Sequence, residues 1–161
     1  LPISRVVDRL PSGTKLHIVG DGDPMPHARL VESLGLSDRI LTHGEVSLAE
    51  VAKRMAEATA VLLFSRFENF PCVIPEAWST GTPVLATDVG GIREHLPADG
   101  LDFRGRCVPS EDENALGAAI IQLLNEPVDG ERLRKYATDH FSIQSVGNAY
   151  LEVYQSLLRH D

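Results

Sequence analysis

The sequence is short of cysteine, of basic charge and of long apolar runs. Only two cysteines occur in 161 residues, Cys72 and Cys107, far apart and in no CxxC pair. That excludes a four-cysteine zinc site and a disulfide-built scaffold, and both thiols are expected to be reduced core residues of a cytoplasmic protein. Lys and Arg number 15 against 23 Asp and Glu, a formal net charge of −8. A nucleic-acid binder draws its affinity from cations that neutralise phosphates, so this balance argues against nucleic acid as a partner. A small phosphate ligand stays open, because backbone N–H groups hold phosphate without any side-chain charge. No apolar run approaches the roughly 18–20 residues that span a bilayer. The first ten residues carry no signal-peptide core, and the first residue is not methionine, so the chain is expected to be a domain excised from a longer polypeptide.

What is present is globular: 43% hydrophobic and 24% charged residues, enough for one domain (1–161) with a core and too little for two. A short apolar run, a turn and an amphipathic segment recur along the chain. Residues 15–19, 39–41, 60–64, 83–87 and 106–108 read as strands. The run 60–64 (AVLLF) is near-continuously apolar, as expected of a parallel strand covered on both faces. Helices are expected over 26–34, from the capping box Ser47 to Glu50, through Ala77 and Trp78 to Gly81, over 92–96, from a second box at Ser110 to Glu113, and from about Ser145 onward. Strands alternating with helices imply βαβ units. The expected fold class is therefore α/β, a Rossmann-like doubly wound parallel sheet with helices on both faces. Ligands of such sheets bind at the carboxyl ends of the strands. The loops after Val19, Leu41, Phe64 and Thr87 are thus the ones that matter.

Gly20-Asp21-Gly22 follows a strand and precedes a helix, yet Met25 stands where a dinucleotide fingerprint needs Gly or Ala. Asp21 and Asp23 form a DxD that can be read as a metal grip or as turn chemistry, and tight turns favour Asp and Gly in any case. The stretch 65–76, SRFENFPCVIPE, is the most informative. Glu68 follows a buried strand, where a carboxylate is costly unless paired. Seven residues separate it from Glu76. Between them a helix has to begin, because Val73, Ile74, Ala77 and Trp78 share helical spacing and Pro75 fits only a first turn. The N–H groups near Cys72 and Val73 would then form an anion site at the helix start. One segment offers a carboxylate, a phosphate cradle and a second carboxylate, which suits a nucleoside diphosphate sugar. The same residues also read as a plain loop glutamate and a favourable first-turn acid, and the residues alone leave both readings open.

Glu68 through Glu76 matches the E-x7-E motif and so resembles the retaining glycosyltransferases of family four (glycosyl transferases group 1). Val19-Gly20-Asp21-Gly22, Thr82-Pro83-Val84-Leu85-Ala86-Thr87 and Val89-Gly90-Gly91-Ile92-Arg93-Glu94 resemble three further segments of that family, in order, from about Lys15 to Leu124. The resemblance implies the C-terminal, donor-binding domain of a GT-B enzyme, itself one part of a larger two-domain protein. It implies that Glu68 contacts the transferred sugar as the catalytic-site carboxylate. It further implies that Phe70, Cys72 and Val73 lie along sugar and diphosphate, that Glu76 takes the ribose hydroxyls, and that Gly20 and Gly22 admit close backbone approach. Val46 falls where the family holds the base, and Gly90, Gly91 and Glu94 fall near the cleft. The implied reaction is sugar transfer from a nucleotide sugar with retention, without a cofactor or a required metal, and with electrostatic stabilisation of the departing diphosphate.

Three departures from the family pattern bear on that expectation. Asn69 and Pro71 replace two glycines, and Pro71 has no N–H to offer. Nothing before Lys15 matches the family's first strand and its Arg and Lys, so the sheet is expected to lack that strand and to show two free edges open to self-association. The N-terminal acceptor-binding domain is absent, so the fragment alone is not expected to turn over. A sugar-nucleotide epimerase of similar architecture, with His43 and Glu68 as acid/base candidates, and a non-catalytic nucleotide-sugar-binding module are the alternatives. The other histidines are scattered without metal spacing, and no GxSxG elbow occurs. Trp78 belongs to an apolar stripe and is expected in the core. The stripe Val146, Ala149, Tyr150, Val153, Leu157 and Leu158 is expected to pack against protein rather than membrane, though peripheral membrane attachment of a longer enzyme stays open.

Overall fold

A computed structural model describes residues 2–98 and 100–159. Five strands are present: β1 (Leu16–Val19), β2 (Ile40–Gly44), β3 (Val61–Leu63), β4 (Val84–Thr87) and β5 (Gly105–Val108). Six α-helices accompany them: α1 (Met25–Ser33), α2 (Leu48–Glu57), α3 (Val73–Thr80), α4 (Glu113–Asn125), α5 (Gly130–Phe141) and α6 (Ile143–Leu158). Short 3-10 turns occupy Pro2–Arg5, Val7–Arg9 and Gly90–Glu94; the last replaces the short α-helix expected there.

All strand pairings are parallel, but the strands form two sheets rather than one: β1 with β2, and β3-β4-β5 with β4 in the middle. Among the described residues, one edge of β1 and one edge of β3 have no strand partner. Every residue of β4 is buried, because both faces of its sheet are covered. Val84 and Ala86 pack with Ile74, Ala77 and Trp78 of α3 and with Leu133 and Ala137 of α5. Leu85 points the other way, to Leu116, Ala119 and Leu123 of α4 and to Val6 and Leu10. The first sheet packs Leu16, Ile18 and Ile40 on Val31 of α1 and on Val7. Leu16 also touches the cluster that holds Leu62 and Leu85, so the Val6–Leu10 stretch, apolar on both sides, knits the two sheets into one layered body.

The helix starts follow local chemistry. Ser47 caps α2 by accepting from the Glu50 N–H at 3.2 Å, as its capping box predicts. The second box fails as written. Glu111 takes a left-handed φ of 63°, Asp112 donates back to the Pro109 carbonyl, and Asp112 rather than Ser110 caps α4 through the Ala115 N–H. Ser142 caps α6, which begins at Ile143, two residues before the expected start.

Packing adds to or alters the reading at three points. Helix α5 has no counterpart in the sequence-based reading, yet it is a main support of α3. Its cap Asp129 accepts from Arg132, and Leu133 and Ala137 are buried. Cys72 is exposed, because it is the residue that opens α3, whereas Cys107 is buried and its thiol is pushed up to about 11, chiefly by desolvation. Helix α6 buries none of its side chains, so its apolar stripe is not packed within the described residues. Among those residues no helix is long and apolar enough to cross a membrane.

Candidate functional site

The carboxyl end of β3 runs into a tight bow, Ser65 to Asn69, before α3 begins. The bow is held by its neighbour β4. The buried Thr87 hydroxyl donates to the Ser65 carbonyl at 2.5 Å, and the Gly91 N–H donates to the Asn69 carbonyl at 2.9 Å. Gly90 lies so close that a Cβ there would sit 1.6 Å from the Glu68 carbonyl oxygen; one at Gly91 would sit 2.6 Å from that of Asn69. No side chain fits at either position, which is the physical reason for the Gly90-Gly91 pair. Glu68 itself is half-buried, and its Oε1 accepts from the Ser65 hydroxyl at 2.7 Å.

After the bow, Pro71 and Cys72 turn the chain into α3. The Ile74 N–H goes to the Pro71 carbonyl and the Glu76 N–H to the Cys72 carbonyl. Among the described residues, no backbone carbonyl takes the N–H groups of Cys72 and Val73. These two donors, with the positive end of the helix behind them, suit an anion. Pro75 sits in the first turn and Glu76 is exposed one residue on. The Phe70 ring does not lie open along this segment. It is half-buried against His95, at a ring-centroid distance of 4.1 Å, and against Phe141 at 5.6 Å.

Gly20, Gly22 and Val46 form a second group, at the ends of β1 and β2. Gly20 donates to the Gly44 carbonyl at 3.2 Å, and Pro24 packs over Gly44. Gly22 has a φ of 88°, which explains a glycine there, and a Cβ at either Gly20 or Gly22 would meet open space. Val46 is half-buried in the turn before α2. Asp23 is engaged in turn chemistry: its Oδ1 accepts from the Met25 N–H at 2.9 Å. Among the described residues no group of three or more metal-ligating side chains is gathered. The structure thus joins Glu68, Cys72, Val73 and Glu76 on one continuous segment. It joins Gly20 to the end of β2 as a separate set, and no hydrogen bond links the two sets among the described residues. A cavity of about 510 Å³ opens between Phe64, Ser65 and Arg66 and the Ser110–Glu111 turn, lined by none of the eight expected donor residues.

His43 is drawn into a polar cluster that the sequence does not advertise. Its Nε2 lies 3.0 Å from His17 Nδ1, the rings stack, and Arg54 of α2 reaches both. Desolvation holds the His43 pKa below its ordinary value, assisted by the Arg54 guanidinium and His17 and opposed by Glu50. Burial likewise lowers His95, with Arg104 adding to it and Glu94 opposing. Both rings therefore bind a proton less readily folded than unfolded. Their stabilising contribution is complete above the unfolded value of about 6.5 and is lost as pH falls below it. Thermal unfolding followed from pH 8 to pH 5 should show Tm dropping below about pH 6.5. His43→Gln should flatten part of that drop; an unaltered drop would remove His43 from the account.

Parallel strands covered by helices, with a helix start open to an anion just after the end of β3, define a Rossmann-like α/β domain. Its neighbours among solved structures are GT-B glycosyltransferases. Sucrose-phosphate synthase from Thermosynechococcus elongatus superimposes with a TM-score of 0.79 at 26% identity, over 99% of this chain and 42% of that one. Anabaena HepE, solved in complex with UDP, gives a TM-score of 0.81 at 20% identity, over 96% of this chain and 44% of that one. The chain belongs to the family described as glycosyl transferases group 1, whose profile matches residues 2–126. Among its curated relatives are the MMP alpha-(1->4)-mannosyltransferase of Mycolicibacterium hassiacum, 31% identical over 93% of this chain, and the N-acetyl-alpha-D-glucosaminyl L-malate synthase of Bacillus anthracis, 31% identical over 91%. The chain spans 37% and 39% of the lengths of these two relatives.

Proposed function

We propose that this chain is the donor-binding domain of a glycosyltransferase that moves a sugar from a nucleotide diphosphate sugar to an acceptor with retention of configuration. The observation that carries this is the single segment on which Glu68, the N–H groups of Cys72 and Val73, and Glu76 follow one another. In this reading the diphosphate rests on the start of α3, where two N–H donors and the helix dipole offset its charge. Glu68 accepts from hydroxyls of the transferred sugar and Glu76 from those of the ribose. The same helix start stabilises the diphosphate as it leaves, so no metal or cofactor is assigned to the step. Gly20 and Gly22 leave room for the donor at the end of β1, and Val46 borders the base. The acceptor is held by a part of the enzyme outside these 161 residues, and the free edges of β1 and β3 suit an added strand. Membership of the family, the transferase and synthase names of its relatives, and the UDP complex of the HepE neighbour all favour the reading.

Calorimetric titration of the chain with UDP, GDP and ADP tests it. One of the three is expected to bind selectively, and Glu76→Ala is expected to weaken that binding about tenfold, the loss of a charge-assisted hydrogen bond pair. Equal affinity of Glu76→Ala and the parent would remove Glu76 from the site. Failure of all three to bind a folded sample would overturn the donor-domain reading.

A further inference from the structure

The Glu68 carboxylate is held in a way that the transfer reading does not require and that the E-x7-E pattern does not contain. The backbone on both sides of it is pinned to the end of β4, through Thr87 to the Ser65 carbonyl and through Gly91 to the Asn69 carbonyl. The remaining freedom is in the Glu68 side-chain torsions. The Ser65 hydroxyl removes it by donating to Oε1 at 2.7 Å, and among the described residues no group hydrogen-bonds to Oε2. Ser65 in turn is fixed by its own carbonyl bond to Thr87, which is buried. One oxygen of the carboxylate is occupied by the protein, and the other has no hydrogen-bond partner among the described residues.

We propose that Ser65 is a positioning residue of the donor site. It locks one oxygen of Glu68 so that the other meets the vicinal hydroxyls of the transferred sugar in a fixed orientation. This rests on the reading of Glu68 as the sugar-contacting carboxylate. A glutamate side chain carries several rotamers, and one ordered before the ligand arrives loses less freedom on binding. The gain belongs to the sugar alone, because the diphosphate and the base touch other residues.

The test is a ratio. The chain is titrated by calorimetry with UDP, GDP and ADP, then with UDP-glucose, GDP-mannose and ADP-glucose, and the affinity of each conjugate is divided by that of its diphosphate. Ser65→Ala is expected to lower this ratio about five- to tenfold with diphosphate affinity unchanged, and Ser65→Thr, which keeps the hydroxyl, is expected to restore it. A serine that served only the fold would weaken both ligands together, and that outcome overturns the proposal. So does an unchanged ratio in Ser65→Ala, or no recovery in Ser65→Thr. Absence of diphosphate binding to the parent chain would overturn the donor-domain reading and this inference with it. Diphosphate binding with a parent ratio of one would overturn the roles of Glu68 and Ser65 while leaving the diphosphate site standing.

Discussion

Trp78→Ala is expected to lower unfolding stability by about 3–5 kcal/mol, a large part of the ~5–15 kcal/mol available to a domain of this size. The side chain is fully buried between β4 and α5. It meets Tyr136 edge-on at 5.5 Å and Phe141 at 5.7 Å, and its indole N–H donates to the Arg104 carbonyl at 2.9 Å. Truncation removes the transfer free energy of the ring, opens a cavity that rigid neighbours on three sides cannot close, and leaves a carbonyl without its donor. Urea denaturation followed by circular dichroism would measure it; fluorescence would not, since this is the sole tryptophan. The transition midpoint should fall with little change in slope. Trp78→Phe should recover most of the loss, leaving about 1–2 kcal/mol for the hydrogen bond and residual volume. A loss below about 1 kcal/mol in Trp78→Ala would mean that α3 and α5 close over the gap.

Gly90→Ala is expected to abolish measurable nucleotide-sugar binding in a chain that still folds. Its φ of 55° already disfavours any side chain, at a cost of about 1–3 kcal/mol. The new Cβ would also meet the Glu68 carbonyl oxygen at 1.6 Å, and that partner is backbone, which cannot swing aside as a side chain would. Either the Gly90–Glu94 turn or the Ser65–Asn69 bow has to move by more than an ångström. A shift of that size at Glu68 undoes a positioned contact. Gly13→Ala is the matched control, because a Cβ at Gly13 meets nothing, its φ is ordinary and it precedes β1, away from the proposed site. Circular dichroism and calorimetry on both variants give the comparison. If Gly90→Ala bound a nucleotide sugar as the parent chain does, the Gly90-Gly91 brace would have no part in the site.

How far the sequence reaches is visible in particular elements. The strands announced themselves because a doubly covered parallel sheet needs unbroken apolar runs, and Val84 through Thr87 are indeed buried on both faces. Ser47 announced α2 because a cap acts within three residues. Helix α5 was concealed by Asp129-Gly130, a pair that reads as a turn, although Leu133, Tyr136, Ala137 and Phe141 already had helical spacing. Asp129 instead caps the helix by accepting from the Arg132 N–H. The stripe of α6 was legible as apolar, but whether anything covers it depends on what lies against it in space. Phe70 was legible as an aromatic in the loop after β3, while its inward turn onto His95 and Phe141 depends on residues 25 and 71 positions away.

By itself the sequence determined the alternation of strands and helices, the family, and the order of carboxylate, helix start and carboxylate from Glu68 to Glu76. These follow from local periodicity and from chemistry within a few residues. The tertiary structure decided the rest: the division of the strands into two sheets, the burial of Trp78, the clamp of Gly90-Gly91 on the Glu68 bow, the pairing of Ser65 with Glu68, and the meeting of His17, His43 and Arg54. Most of these are contacts between segments brought together only when β4 is packed in the middle of its sheet. The Ser65–Glu68 pair is local in sequence, but it depends on a bow that β4 holds in shape.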